Sequence, residues 1–327
     1  MSRLLFVHAH PDDETLATGV AIAHHVERGD EVHVLTCTLG DEGEIIPPEL
    51  VHHGADREDT LAGVRREELR RAMAAIGAQH RVLGEGGTPG EGGSLSDARA
   101  ADEGSPAGDA EAERDGGPGR AGATAAGTAV YRDSGMAGTP SAAHPRAFVQ
   151  ADLDEAAALV RAVIVELAPD VVVTYDEHGG YRHPDHIQTH RVVRAALRGL
   201  PPQSRPPMMA ALTPSSWARE DRQWLAERGP ADPSWSLPEG DFPPSVVADA
   251  LVTHAVTDPA AVPRQVAALR EHATQVTVVG AQYALSNDIA ARLSGREGYA
   301  EVDVETGRLV PGAAAGGGRL PLVGGAS

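Results

Sequence analysis

The chain has 327 residues, with 47 Asp and Glu against 28 Lys and Arg and a formal net charge of −19. So acidic a surface repels phosphate backbones, and no apolar run reaches the roughly 18 residues that cross a bilayer, so neither nucleic acid nor membrane is an expected partner. Apolar residues at 41% suffice for one large core or a main domain with a smaller one, and the lone Cys37 permits no intramolecular disulfide, which fits a reducing cytoplasm.

Met1 to Val7 enters a strand-like run directly, without the basic, apolar and small-residue series of a secretory signal, so a cytoplasmic location is expected. Leu4 to Ala9 predicts a buried strand and Glu14 to Arg28 a helix closed by Gly29. Glu31 to Thr38 predicts a Val-rich strand, and Asp59 to Ile76 a helix ended by Gly77. Gly84 to Gly127 is nearly all Gly, Ala, Glu, Asp, Ser and Pro. Such a stretch cannot bury enough surface to offset its ordering entropy, and it reads as a disordered insert. Asp152 to Leu167 predicts a helix, and Val171 to Tyr175 a β-branched strand. The alternation argues for an α/β, Rossmann-like, mostly parallel sheet with helices on both faces, whose ligands bind at the carboxyl ends of the strands. Beyond residue 205 the pattern mixes a strand-like Ala250 to Val256, a helix over Pro263 to Thr274 and a strand-like Tyr299 to Val304. The expected division is a catalytic domain over 1–205, a smaller C-terminal α+β lobe over 206–307 that completes the site, and a flexible tail over 308–327.

Two polar clusters fall at predicted strand ends. His10-Pro11-Asp12-Asp13-Glu14 stands where the first strand gives way to a helix. Taken alone, its carboxylates fit a helix cap as well as a metal site. As a metal site it offers His10 and Asp13 as ligands and leaves Asp12 free as a base. Tyr181-Arg182-His183-Pro184-Asp185-His186 follows the strand Val171 to Tyr175, and Pro184 suits the first position of a new helix. Together the clusters supply two histidines and a carboxylate, a common catalytic zinc arrangement with room for water. His8 reads as a packed core residue, Cys37 as a small buried apolar one, and His24, His25, His52 and His53 as solvent-facing. No Gly-x-Ser-x-Gly elbow is present, which argues against a serine hydrolase.

Ala9 to Glu14 together with His183-Pro184-Asp185-His186 resembles the zinc deacetylases of the LmbE-like, or PIG-L, superfamily, which act on N-acetylglucosaminyl substrates. Thr36 to Glu44, Arg132 to Thr139, His178 to Tyr181, Leu269 to Gln275 and Ala284 to Asn287 are similar to the branch that deacetylates N-acetylglucosaminyl-inositol in mycothiol biosynthesis. The resemblance implies a small-molecule amino-sugar substrate and one zinc ion per chain, with iron(II) as the alternative, held by His10, Asp13 and His186. It implies Asp12 as general base and His183 as acid or oxyanion stabiliser. Asp185 would orient His183 and tune its pKa, and Tyr181 would be a mobile tyrosine that polarises the substrate carbonyl. Arg65 (or Arg66, by a slip of one) and Asp133 match sugar- or inositol-contacting positions, and Glu44 a pocket position. A sister branch, the amidases of mycothiol conjugates, shares both metal motifs, and Asp133 to Thr139 favours the deacetylases. The sequence departs from the family at Arg182, where a small residue, often glycine, is expected. It leaves a homo-oligomer open.

The insert lacks the residues to join a core. A chain without residues 93–122 is therefore expected to fold and bind metal as the full chain does. Thermal unfolding and metal content check this, and a deletion product that failed to fold or lost its metal would make the insert structural.

Overall fold

The computed structural model describes residues 1–85 and 129–310. The insert read at 84–127 therefore lies, from residue 86, outside the described residues, as does the tail from 311. The first half runs β1 (Arg3–His8), α1 (Asp13–Glu27), β2 (Glu31–Thr36), α2 (Leu61–Ile76), β3 (Gln79–Val82), α3 (Leu153–Leu167) and β4 (Val171–Thr174). A kinked single turn, α4 (Gly179–Arg182), leads into α5 (Pro184–Arg198). Then follow β5 (Met208–Pro214), α6 (Ser215–Arg228), β6 (Val246–Val247), β7 (His254–Thr257), α7 (Val262–Leu269), β8 (Thr277–Val279), β9 (Gln282–Ala284), β10 (Ala291–Arg292) and β11 (Arg296–Val302).

The main sheet has the order β3-β2-β1-β4-β5-β11-β7, with β6 pairing the end of β5. The strands from β3 to β5 run parallel, and β11 lies antiparallel between β5 and β7. Alternation along each strand sends side chains to both faces, and both faces are covered. Leu4 and Phe6 of β1 pack with residues of α1, α2 and α7, while Leu5 and Val7 pack with residues of α3 and α5. The parallel sheet between two helical layers is the architecture that the alternating pattern predicts. After residue 205, β5, β11 and β7 extend this same sheet. The three-stranded sheet β10-β9-β8 stands apart from it, and Ala284 of β9 packs with Leu225, Trp235 and Ala290 in a small core.

Some elements differ from expectation. β3 was not anticipated, because Gln-His-Arg-Val carries one large apolar residue and pairs on one side only, as the sheet edge. The helix expected to reach Thr274 stops at Leu269, where the chain turns inward: Thr274 donates from its N–H and hydroxyl to the Glu68 carboxylate at 2.9 and 2.7 Å. The strand expected from Ala250 begins at His254, since Asp249–Leu251 forms a 3-10 turn whose Asp249 accepts from the Ser216 N–H. His25 is not solvent-facing but buried, because α1 is covered on most sides, and its Nδ1 pairs with Asp30 at 2.9 Å. Among the described residues no helix is long and apolar enough to cross a membrane.

Candidate active site

β2, β1 and β4 are neighbours, so the chain segments leaving their carboxyl ends converge. Asp13 opens α1, and its carboxylate lies between two histidines. Its Oδ2 accepts the His10 N–H at 2.9 Å and lies 3.2 Å from His10 Nδ1, and its Oδ1 lies 3.3 Å from His186 Nε2. His186 arrives from the first turn of α5, which Pro184 starts and His183 caps by accepting the Asp185 N–H. Burial works against the Asp13 carboxylate, but His186 and His10 outweigh it and hold its pKa well below the ordinary range. His186 Nε2 is buried and, among the described residues, has no hydrogen-bond partner. A buried ring nitrogen left unsatisfied beside a carboxylate is what a divalent metal site presents once the ion is set aside.

The other contacts bear on which nitrogens could face a metal. His10 Nε2 lies 3.3 Å from Asp185 Oδ2 and 3.4 Å from Asp133 Oδ1. An imidazole that donates Nε2–H to a carboxylate keeps its Nδ1 lone pair for a metal. One donor atom each from His10, His183 and His186 also comes within 4.8 Å of the others. His183 differs from the other two, because its Nδ1 accepts the Asp185 N–H at 3.2 Å, which puts the ring proton on Nε2. A protonated Nε2 is a donor and not a ligand.

Asp12 stands next to this set with φ +117°, and it caps α1 without a side-chain bond. Burial pushes its carboxyl up to about 7; Arg65 opposes the rise and Asp13 adds to it. Arg65 Nη2 lies 3.3 Å from Asp12 Oδ2 and donates to the Pro11 carbonyl, while Nη1 donates to the Gly40 carbonyl at 2.7 Å. Gly40 has φ +63°, and a Cβ there would lie 2.0 Å from Arg65 Nη1, so only glycine lets the guanidinium pass. Arg66 pairs instead with Glu85, so of the two arginines it is Arg65 that stands beside Asp12.

The carboxylate of Asp185 is not where the resemblance implies. It faces His10 and accepts the Ser134 N–H at 2.8 Å, and only its backbone N–H meets His183. Burial, and then the neighbouring His10 and His186, push the pKa of His183 down to about 3. Asp133 is buried and accepts from the Gly135 N–H at 2.8 Å. Arg132 fastens this segment by pairing with Glu42 and Asp59, each at 2.7 Å.

His10, Asp12, Asp13, Arg65, Asp133, His183 and His186 line one cleft of about 1730 Å³, with Tyr181 and the exposed Glu44 also along it. Asp185 does not reach the cleft and is fully buried. Tyr181 is 50% exposed, with its ring 5.1 Å from that of His186. Beside it Arg182 has φ +74°, the backbone region that explains why a glycine is expected there. Tyr175 joins the site without a motif to announce it: its ring stacks on His186 at 4.1 Å and its hydroxyl accepts the Ala9 N–H at 2.9 Å. Its only signal is an aromatic residue just past a buried strand. His8 and Cys37 are core residues, with His8 Nε2 2.9 Å from Thr18 Oγ1.

Residues 5–197 match the family described as PIG-L: GlcNAc-PI de-N-acetylase. A protein of Geodermatophilus obscurus named 1D-myo-inositol 2-acetamido-2-deoxy-alpha-D-glucopyranoside deacetylase is 43% identical over 316 residues, covering 93% of each chain. A protein of the same name from Acidothermus cellulolyticus is 42% identical over 300 residues, covering 90% of this chain and 87% of its own. Another, from Mycolicibacterium smegmatis, is 40% identical over 311 residues, covering 93% and 91%. With more than half of its length matched to the family and nearly all of it alike to these deacetylases, the chain belongs to the PIG-L family of de-N-acetylases.

Proposed function

We propose that the protein hydrolyses the N-acetyl group of N-acetylglucosaminyl-inositol to the free amine and acetate, with zinc as its metal, as a step of mycothiol biosynthesis. One observation carries the chemistry: a carboxylate, Asp12, stands beside an Asp13 that is already engaged by His10 and His186. The names of the relatives that share its length support the substrate.

His10 through Nδ1, Asp13, and His186 through Nε2 would hold the metal, which supplies polarisation of the acetyl carbonyl and an acidified water. Asp12 takes a proton from the attacking water, for which a carboxyl near neutrality is suited. That proton is then available to the leaving nitrogen. His183 works as a neutral imidazole, because its Nδ1 is committed to the Asp185 N–H and its Nε2–H is left to donate to the developing oxyanion. Tyr181, half exposed at the open side, adds a second donor in this reading. Asp133 and Glu44 supply acceptors for sugar or inositol hydroxyls from the cleft wall. Arg65 serves the substrate less directly, since its Nη atoms already hold Asp12, Pro11 and Gly40.

Acetate release tests the reading. The kcat/KM for N-acetylglucosaminyl-inositol is expected to exceed that for N-acetylglucosamine at least about tenfold, the value of about 1.4 kcal/mol of inositol contact. It should also exceed that for a mycothiol S-conjugate. Preferred cleavage of the conjugate would assign the protein to the amidase branch instead.

A further inference from the structure

Asp12 has φ +117° and ψ −35°, a backbone conformation that L side chains resist. Glycine would adopt it freely, but glycine brings no carboxylate. The contacts of this peptide lead to a buried pair outside the cleft. The Asp12 N–H donates to Glu14 Oε2 at 3.0 Å, and Glu14 Oε1 lies 2.8 Å from His272 Nε2 and also accepts the Thr15 hydroxyl. Glu14 and His272 are both 0% exposed and stand 258 residues apart in the chain. His272 is presented by the turn that follows α7. Its N–H donates to the Leu269 carbonyl at 3.1 Å, and Glu68 fastens Thr274 two residues on. Neither Glu14 nor His272 lines the cleft, so neither can touch substrate.

We propose that Glu14 and His272 are a positioning pair that holds the Asp12 peptide in its left-handed conformation and so keeps the carboxylate clear of the metal ligands. The inference rests on the reading of Asp12 as the general base. A buried carboxylate that accepts a backbone N–H with one oxygen needs its other oxygen fixed, or it rotates and releases the peptide. The His272 ring fixes it, together with the adjacent Thr15 hydroxyl. Arg65 steadies the same residue from the other side, through the side chain. If the pair let go, φ of residue 12 would relax toward negative values and swing the Cβ away. A displacement of about 1 Å at a catalytic group can reduce turnover about 100-fold.

The test is a double-mutant cycle on the zinc-loaded enzyme, with metal content and thermal unfolding recorded for each variant. His272→Leu is expected to lower kcat roughly 10- to 100-fold with KM and zinc content unchanged. His272→Gln, whose amide N–H can still donate to Glu14, should recover most of the loss. In an Asp12→Ala background His272→Leu should change the residual rate by less than about twofold, because the group it positions is gone. A full loss in that background as well, or a normal kcat in His272→Leu, would overturn the proposal. Should His272→Leu fail to fold, the near-isosteric Glu14→Gln is put through the same cycle with the same two overturning results. Near-normal kcat in Asp12→Ala alone would instead remove the base reading, which separates the two failures.

Discussion

Replacing Asp12 by alanine is expected to lower kcat by roughly two to four orders of magnitude, the span of a general acid–base group, while the protein keeps its metal. The separation of the two properties is the point. Asp13 contacts both His10 and His186, whereas the neighbour of the Asp12 carboxylate is Arg65, which no metal would share. His183→Ala belongs to the same class, since the proton on its Nε2 makes it a donor to substrate and not a ligand. Metal content measured beside kcat decides the matter. Loss of zinc from Asp12→Ala would make Asp12 a ligand, and near-normal kcat would mean that another group takes the proton.

His186→Ala should fail in the opposite order, losing metal first and activity as a result. His186 Nε2 is a buried nitrogen without a hydrogen-bond partner among the described residues, and it stands 3.3 Å from Asp13 Oδ1. Its removal should weaken metal binding by more than the roughly 10–100-fold that follows loss of an outer partner of a ligand. Asp185→Ala supplies that comparison. Its carboxylate braces His10 Nε2 at 3.3 Å, so its loss should weaken metal by about 10–100-fold and leave His183 able to donate. Titration of the apo-protein with zinc, read by competition with a chelating dye, ranks the three proteins. A His186→Ala protein with unaltered affinity would exclude this ligand set.

Much of this centre was legible because its chemistry is local. His10 to Glu14 sits at a strand-to-helix junction, and Pro184 and His183 start a helix by ordinary capping rules, so the neighbours in sequence are the neighbours in space. Asp185 shows where that reasoning stops. It follows His183 by two residues, which suggests a side-chain pair, but positions two apart on a helix do not face each other. Its carboxylate meets His10 instead, 175 residues away. His272 was visible only as part of a segment that resembles the family, and nothing in its spacing points to Glu14. In the same way, the turn that ends α7 early is set by Glu68 on another helix. A sheet edge such as β3 carries too little apolar pattern to be read at all.

The cleft is built from two stretches of chain. The residues read as metal ligands and proton carriers fall between His10 and His186, inside the stretch that matches the family. The facing wall, with Trp217, Gln275, Asn287 and Arg292, comes from beyond residue 205. Changes confined to these four wall side chains would leave the residues read as ligands and proton carriers, and the His272 that braces Asp12, untouched, so after gene duplication one copy could acquire a new aglycone through them. Divergence within such a lineage should then appear at Trp217 and Arg292 before it reaches the ends of β1 and β4.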